Sequence, residues 1–337
     1  MTNGDATPGQ NSSPDPDCPD ANLGMIWCVI DAPAAKTGEP TPSATGLPKQ
    51  FRTMADAWHR PPGPTPPSTA GLATLNASGS AQFCKGQLQA MLGKVKTPMT
   101  ILDLRQECHG FLDLFQPLAE ESTIAVGWYA DRDWMNIGLD LVSVQVDENY
   151  LLDSLRAQHP VQVSEIKSVD KEGAVCTVET YPVEMTNWST EEQQAQAVGS
   201  AYLRLPATDH VRPRDGVVDQ FVAFDTNLPT DMWLHFHCRG GDGRTTTFLA
   251  MHDIINNAPQ VTADDILTRQ YLLGGVNLGD ATSGDSKSFK YPYAVGREQF
   301  IRAFWLYVFQ MKHDGSFHMT WSQWAASRLI PPPPPPS

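Results

Sequence analysis

Residues 233–247 decide the fold of this chain, and they read Trp233-Leu234-His235-Phe236-His237-Cys238-Arg239-Gly240-Gly241-Asp242-Gly243-Arg244-Thr245-Thr246-Thr247. The apolar run that enters this stretch from Met232 predicts a buried strand. In residues 245–257 the apolar side chains recur at helical spacing, at Phe248, Met251, Ile254 and Ile255. A short loop therefore joins a strand to a helix, which is a connection typical of α/β folds.

The loop between this strand and helix is rich in glycine and predicts an anion site. Glycines let the backbone curl until its N–H groups point inward. Such a cradle at a helix N-terminus binds an anion the size of phosphate. The residues expected to bind substrate in this loop are Arg239, Gly240, Gly241, Asp242 and Gly243.

Two residues at the ends of the loop supply the chemistry. The positive end of the helix dipole and Arg244 favour the thiolate form of Cys238, which makes it a nucleophile. The Arg244 guanidinium can bind two phosphoryl oxygens, and more tightly as they spread in the transition state. The chemistry implied is phosphoryl transfer to sulfur. The pattern His-Cys-x5-Arg-Thr resembles the signature of the protein tyrosine phosphatases, so His237 and Thr245 are counted with the catalytic residues.

Three other interpretations of the loop were weighed. Cys238 could be a buried structural thiol in a glycine-rich turn, since free cysteine is often buried. Zinc binding by His235, His237 and Cys238 is disfavoured because neighbouring residues 237 and 238 of a strand point to opposite faces. A nucleotide-binding loop is disfavoured because the Gly-x4-Gly-Lys arrangement is absent. No metal and no cofactor are therefore expected.

Length and composition limit the function classes. The 337 residues, 41% of them apolar, could form one large or two modest domains. A net charge of −14 argues against nucleic acid as a partner. No apolar run is long enough to predict a membrane span, and the polar first twenty residues do not predict a signal peptide. The six cysteines lie far apart, which favours free thiols over a disulfide framework.

The pattern along the chain predicts one catalytic domain between two tails. Residues 1–22 are polar and proline-rich and predict a disordered tail, and residues 329–337 predict a polyproline tail. The domain of residues 23–328 includes a β-rich insertion at about 120–185. Its predicted strands form a small antiparallel subdomain and cover 123–128, 141–146, 161–166 and 174–183.

A general acid and a supporting cluster are predicted from loops that follow strands. Asp209 lies in a loop about thirty residues before Cys238, and an acid there could protonate the departing alkoxide. The alternative for Asp209 is an Asx turn before Pro213. Asp103, Arg105 and Glu107 follow another strand. We expect these three residues to neutralise one another or to fix the catalytic loop in place.

With these residues placed, the chain resembles the bacterial protein-tyrosine-phosphatase-like phytases, which act on inositol hexakisphosphate. The resemblance covers most of residues 22–328 and is carried by segments that include Phe51-Arg52-Thr53, Asp103-Leu104-Arg105-Gln106-Glu107, Thr208-Asp209-His210 and His235-Phe236-His237-Cys238. It implies a phosphatase core, a central sheet flanked by helices, with a partial β-barrel around it. It also implies Cys238 as nucleophile, Arg244 as phosphate ligand, Asp209 as acid and then base, and Thr245 as the hydroxyl that stabilises the thiolate. The residues it assigns to the other phosphates or to the pocket wall are Arg52, Asp133, Lys171, His210, Lys290 and Arg297.

Asp242 departs from the family pattern, which usually has a small aliphatic residue there. A carboxylate turned toward the phosphate would repel it, so we expect Asp242 to point outward. The region 112–126 is longer than the pattern and 274–287 is shorter, and both could reshape the pocket.

The leading hypothesis is a metal-independent cysteine phosphatase acting on inositol phosphates, with no membrane and no nucleic-acid partner. A phosphotyrosine or phosphoinositide phosphatase is the alternative enzyme, and a non-catalytic module that binds phosphorylated ligands is the alternative class. The location stays open between the bacterial cytoplasm and export without a signal peptide. Some relatives are effectors delivered into host cells, and the polar, proline-rich start is compatible with that route.

Overall fold

Two β-sheets and the helices packed on them make up the fold. The computed structural model describes residues 27–31, 46–115, 122–130, 132 and 134–333. The expected tail at 1–22 lies outside the described residues. The strands are β1 (Trp27–Ile30), β2 (Arg52–Thr53), β3 (Ala77–Ser80), β4 (Met99–Arg105), β5 (His109–Leu114), β6 (Ser122–Tyr129), β7 (Val161–Val169), β8 (Val175–Val183), β9 (Met185–Ser189), β10 (Ala201–Ala207) and β11 (Trp233–His237). The helices are α1 (Lys85–Leu92), α2 (Leu141–Ser154), α3 (Glu191–Ala197), α4 (Asp215–Asp225), α5 (Gly243–Asn257), α6 (Ala263–Leu272), α7 (Tyr291–His313) and α8 (Trp321–Ser327).

The five-stranded sheet carries the strand predicted before the glycine-rich loop. Its order is β10-β4-β11-β3-β2. The first four strands are parallel, and only β2 runs antiparallel to its neighbour. Every residue of β11 and of β4 is buried, as expected for central strands covered on both faces. The carboxyl ends of β4, β10 and β11 therefore meet at one edge of the sheet.

The main hydrophobic core lies between this sheet and a layer that includes helices α4 to α8. Twelve consecutive residues of α5, 244–255, are buried, so this helix passes through the centre of the layer. Phe236 of β11 and Phe248 of α5 both contact Phe221 of α4, with ring centroids 6.0 and 5.2 Å from it. Because α5 is buried on all sides, the loop at its N-terminus has little freedom to move.

The six-stranded sheet has the order β8-β7-β1-β6-β5-β9. Its neighbours are antiparallel except β1 and β7, which run parallel. The parallel pair joins β7 to β1, which lies outside the segment predicted to form the antiparallel subdomain. The sheet also uses strands from outside the predicted 120–185 insertion, at 27–30 and 109–114. The partial barrel and the domain boundaries stay predictions.

One predicted strand, 141–146, is instead the beginning of helix α2. The alternating valines of this segment favoured a strand, but the Asp140 side chain accepts a hydrogen bond from Ser143 N at 2.8 Å and caps a helix. Val144 and Leu152 are buried on one face of α2, while Val142 and Val146 remain 69% and 62% exposed. The buried side chains of this segment therefore follow the period of a helix and not the alternation of a strand.

The cysteines also differ in part from expectation. Cys28, Cys84, Cys108 and Cys238 are free, as predicted. Cys176 on β8 is disulfide-bonded, which the wide spacing of the cysteines in the sequence did not predict. Among the described helices, none combines the length and apolar character needed to cross a bilayer.

A buried ion pair fixes α5 against α6. Arg269 Nε lies 2.8 Å from Asp253 Oδ2, and neither side chain is exposed. Arg269 also donates to the carbonyl oxygens of Ser68 and Ala70 at 2.9 and 3.0 Å. The pair thus connects two helices to the loop that precedes β3.

Asp253→Ala should lower the free energy of unfolding by about 3–5 kcal/mol, because it leaves the buried Arg269 charge without its partner. Asp153→Ala is the matched control, since Asp153 and Arg156 form an ion pair whose side chains are 66% and 54% exposed. That change should cost at most about 1 kcal/mol. Urea unfolding of both variants measures the difference, and equal losses would contradict the role given to the buried pair.

Candidate active site

The site lies where the carboxyl ends of parallel strands deliver polar side chains. In the register of the sheet, His237 of β11 is opposite Asp103 of β4. The loop 238–242 follows β11 directly and leads into α5. This is the edge at which ligands bind in open α/β sheets.

Two glycines of the loop are required by its close packing. Gly241 has a φ of 75°, and a Cβ there would overlap the backbone of Ser80 and Ala81. A Cβ on Gly243 would overlap the Arg297 guanidinium. The loop is also held from outside, because Arg52 Nη1 donates to Gly241 O at 3.0 Å. A larger residue at 241 would therefore displace the cradle, and one at 243 would displace the Arg297 side chain.

Cys238 is buried at the base of the loop, with 2% of its surface exposed. Thr245 Oγ1 donates to its sulfur at a distance of 3.2 Å. A hydroxyl in this position stabilises a thiolate, both before attack and when the sulfur becomes a leaving group. The placement of Thr245 agrees with the role that the resemblance implies.

Arg244 is fixed by a bidentate ion pair with Glu107. Its Nη1 and Nη2 lie 2.6 and 3.0 Å from the two carboxylate oxygens, and both side chains are buried. Burial alone would raise the pKa of Glu107, but Arg244 and Arg105 outweigh it and lower the pKa well below its usual range. The carboxylate is therefore charged at neutral pH. It orients the guanidinium next to the loop.

Asp209 lies against the same guanidinium from the other side. Its Oδ1 is 3.2 Å from Arg244 Nε, and its backbone carbonyl accepts a hydrogen bond from Trp134 Nε1 at 3.0 Å. Burial raises the pKa of Asp209, but the charges of Arg244 and His210 lower it by more. In the absence of an anion, Asp209 is therefore a carboxylate rather than a carboxylic acid.

His210 completes this loop. It has a φ of 64°, a left-handed conformation that is uncommon for a residue other than glycine. Its Nε2 is 3.3 Å from Asp209 Oδ2, and its ring packs edge to face with Phe289 at a centroid distance of 5.5 Å. Burial lowers the pKa of His210 to about 4 despite the neighbouring carboxylate. The side chain is thus neutral near pH 7 and can donate or accept a hydrogen bond.

His237, which the sequence placed among the catalytic residues, does not extend toward the loop. Its ring is fully buried, packs edge to face with Phe83 at 5.1 Å, and places Nε2 at 2.5 Å from Glu191 Oε1. The alternation of the strand explains this, since His237 and Cys238 point to opposite sides. We therefore correct its role from a catalytic residue to one that positions the end of β11.

The Arg239 side chain also departs from its predicted role as a substrate ligand. Its Nε donates to Asp31 Oδ1 at 2.8 Å, and its guanidinium lies over the Tyr129 ring at 4.6 Å. Asp31 simultaneously accepts from Arg105 Nη1 at 2.7 Å. Arg239 thus connects the loop to the six-stranded sheet, and only its backbone remains available to the cradle.

The residues predicted to hold the other phosphates differ in their distance from the loop. Arg52 is buried against the loop, and burial lowers its pKa to about 10. Arg297 of α7 is also buried and lies beside Gly243. Lys290 is exposed at the start of α7, with its Nζ 5.5 Å from the Phe289 ring centroid. Lys171 is exposed in the turn between β7 and β8, and Asp133 lies outside the described residues.

Asp242 does not project freely into solvent, which differs from the expectation that it points outward. It is half-buried, and burial raises the pKa of its carboxyl group although Arg52 acts in the opposite direction. Its Oδ2 lies 3.5 Å from the position that a Cβ on Gly240 would occupy. The carboxyl group therefore folds back over the loop.

Behind the loop, buried acids and histidines form a cluster. The ligand atoms of Asp103, His109 and Glu191 lie within 4.8 Å of one another, close enough to share a metal ion. A proton accounts for the same geometry. Burial lowers the pKa of His109, but Asp103, 3.2 Å away, outweighs it and raises the pKa to about 10. The imidazolium thus neutralises the carboxylates, and we assign the cluster to structure.

His235, one of the three residues weighed as zinc ligands, has a different environment. Its Nδ1 lies 2.9 Å from Ser78 Oγ and its Nε2 lies 3.1 Å from Ser80 Oγ, so both ring nitrogens are engaged. Burial lowers the pKa of His235 to about 3, with a further contribution from His237. It is a neutral core histidine.

Several residues that position the site escaped sequence analysis. Asp31, Gln82, Trp134 and Glu191 all contact a group of the site or its support. Asp31 follows a four-residue strand, and no local pattern connects it to arginines that are 74 and 208 positions away. Trp134 lies in a short segment outside the described helices and strands, and no periodic pattern connects it to the Asp209 carbonyl.

Comparisons with known proteins agree on a single group of relatives. Residues 102–256 match the model of a family named for PTP-like phytases and described by inositol hexakisphosphate. Effector protein hopD2 of Pseudomonas syringae pv. tomato is 28% identical over 282 residues, which cover 82% of this chain and 56% of that protein.

Two solved structures are similar along most of the chain. The PTP-like myo-inositol phosphatase from Mitsuokella multacida, in complex with myo-inositol-(1,3,4,5)-tetrakisphosphate, is 36% identical with a TM-score of 0.74 and matches 91% of this chain and 50% of its own. A PTP-like phytase from Bdellovibrio bacteriovorus is 29% identical with a TM-score of 0.65 and matches 92% of this chain and 97% of its own. The chain thus spans about half the length of hopD2 and of the Mitsuokella protein.

Two of the histidines with shifted pKa values, His235 and His109, should together give stability a maximum near pH 6.5. The pKa of His235 is about 3 when folded and 6.5 ordinarily, so the unfolded chain binds more protons below pH 6.5 and stability falls from there toward pH 3. The pKa of His109 is about 10 when folded, so its contribution is complete below pH 6.5 and is lost as the pH rises to 10.

Urea unfolding as a function of pH tests this with two matched variants. His235→Gln should flatten the acid limb and leave the alkaline limb unchanged. His109→Gln should flatten the alkaline limb alone. If both variants merely lower stability by the same amount at every pH, the protonation states assigned to the two histidines are wrong.

Proposed function

Because this chain belongs to the protein-tyrosine-phosphatase-like phytases, we propose that it hydrolyses phosphomonoesters of inositol hexakisphosphate and lower inositol polyphosphates through a cysteinyl-phosphate intermediate. One observation carries the proposal. A thiol, a clamped guanidinium and a carboxylate border one cradle, with Thr245 donating to the Cys238 sulfur and Asp209 3.2 Å from Arg244. A module that only binds phosphate requires neither the thiol nor the acid.

In the first step the Cys238 thiolate attacks phosphorus. The sulfur–phosphorus bond forms as the bond from phosphorus to the inositol oxygen breaks. Arg244 and the inward N–H groups of the loop stabilise the equatorial oxygens as their charge spreads. Asp209 gives its proton to the departing inositol oxygen, which would otherwise leave as an unstable alkoxide.

The charge of the substrate favours the protonated form of Asp209, which the first step requires. Without a ligand, Arg244 and His210 hold the Asp209 pKa below its ordinary value. A bound phosphate dianion compensates Arg244 and repels the carboxylate, and both effects raise the Asp209 pKa. In the second step the same carboxylate takes a proton from water as the water oxygen attacks phosphorus and the Cys238 thiolate departs.

The surrounding cations favour a substrate with more than one phosphate. The chain has a net charge of −14, yet Arg52 and Arg297 lie beside the loop in addition to Arg244, and the charge of Lys290 acts on Asp242 within the loop. A single phosphotyrosyl group would use one of these charges. Several phosphates on one ring would use most of them, which supports inositol polyphosphates as substrates.

We further propose that the protein acts after delivery into a host cell. The relative hopD2 is an effector protein, which supports this location over the bacterial cytoplasm. A reporter fused to the C-terminus of the chain tests it: the reporter should enter plant cells from bacteria with an intact type III secretion system and not from a secretion mutant.

Phosphate release tests the reaction class. The wild-type chain should release phosphate from inositol hexakisphosphate faster than from a phosphotyrosyl peptide, in the presence of EDTA, and Cys238→Ser should abolish the release because a hydroxyl is a far weaker nucleophile at this site. Faster release from the peptide would support a phosphoprotein phosphatase. No release from either substrate would support a binding module.

A leaving-group comparison tests the role of Asp209. Asp209→Asn should reduce kcat on inositol hexakisphosphate by about 10²–10⁴-fold, because an alkoxide needs protonation as it departs. The same variant should lose far less activity on p-nitrophenyl phosphate, whose phenolate leaves without help. Asp231→Asn, a change at an exposed carboxylate, is the control. Equal losses on both substrates would show that Asp209 does not act as the acid.

A further inference from the structure

Asp242 is the acidic side chain of the loop that the mechanism does not use. Its backbone carbonyl accepts hydrogen bonds from Thr246 N at 2.8 Å and Thr246 Oγ1 at 2.7 Å, so the residue is fixed at the start of α5. Its side chain does not cap the helix. Among the residues that the structure describes, no hydrogen-bond or salt-bridge partner is found for this carboxylate.

The carboxylate lies beside the backbone of the cradle. It folds back beside Gly240, which is one of the residues of the cradle. The charged groups that act on it come from the surrounding elements. They are Arg52 of β2, Arg60 of the following loop, Asp209 of the loop after β10 and Lys290 at the start of α7. Arg297 of α7 contacts the adjacent Gly243.

We propose, on the basis of the proposed function, that Asp242 is a specificity-determining residue. It discriminates between a hydroxyl and a phosphate at the ring position next to the scissile phosphate. A substrate with a hydroxyl at that position is accepted with Asp242 in either protonation state. A substrate with a second phosphate there is accepted well only when the carboxyl group carries its proton.

The chemistry of a carboxyl group accounts for both cases. An ionised Asp242 accepts a hydrogen bond from a ring hydroxyl, but it repels a phosphate at the same distance. A protonated Asp242 loses the repulsion and donates a hydrogen bond to a phosphate oxygen. The half-buried position favours the neutral form, since burial raises the pKa of this group. The preference for substrates with neighbouring phosphates should therefore increase as the pH falls.

Binding to a variant that cannot turn over the substrate tests the proposal independently of catalysis. In the Cys238→Ser background, the dissociation constants of inositol hexakisphosphate and inositol-(1,3,4,5)-tetrakisphosphate are measured by calorimetry at pH 5 and pH 7, with Asp242 and with Asp242→Asn. The 1-phosphate of the tetrakisphosphate has a hydroxyl on each side. Asparagine keeps the shape of the side chain and removes its charge.

At pH 7, Asp242→Asn should tighten hexakisphosphate binding by about tenfold, the effect of removing one like charge at close range. It should change tetrakisphosphate binding by less than about twofold, and its effect on hexakisphosphate binding should be smaller at pH 5 than at pH 7, because the carboxyl group loses its charge as the pH falls. Asp231→Asn serves as the control at an exposed site. Equal effects on both ligands, or no effect at pH 7, would overturn the proposal.

Failure of the proposed function gives a different result. In that case the chain with Cys238 intact releases no phosphate from either inositol phosphate, whatever the binding data show. If neither ligand binds the Cys238→Ser chain at all, Asp242 does not discriminate between them and the inference is also overturned.

Discussion

The ion pair between Arg244 and Glu107 is the interaction on which the site depends. A buried guanidinium without a partner would be strongly destabilising, and a buried carboxylate likewise. Each charge offsets the cost of burying the other. The bidentate geometry of the pair also fixes the direction of the guanidinium plane. The pair also connects α5 to the segment after β4, so the loop, the helix and the sheet edge hold one another in place.

Carboxylates behind the loop make a cationic site possible in an acidic protein. Glu107 compensates Arg244 and Arg105, and Asp31 compensates Arg105 and Arg239. These acids are buried away from the cradle, so they orient the arginines without occupying the position of the phosphate. Net charge therefore says little about local potential, because the distribution of charge between the front and the back of the loop decides what binds.

The sequence predicted the parts of the structure that depend on local patterns. The family and the α/β fold are confirmed, and β11 and α5 lie close to their predicted positions. The signature loop was recognisable because glycines, a cysteine and an arginine must stand at fixed spacing. Side-chain directions were less accessible: His237 and Arg239 are adjacent to the nucleophile in sequence but point away from it. The parallel pairing of β1 with β7, and the contact of Asp31 with two distant arginines, depend on the tertiary arrangement and leave no trace in local sequence.

The segment that carries Asp209 and His210 is held in place by contacts with the surrounding protein. Trp134 binds the Asp209 carbonyl, Arg244 binds its carboxylate, and His210 adopts its left-handed conformation against Phe289. The conformational entropy of ordering this segment is thus lost on folding rather than on each encounter with substrate.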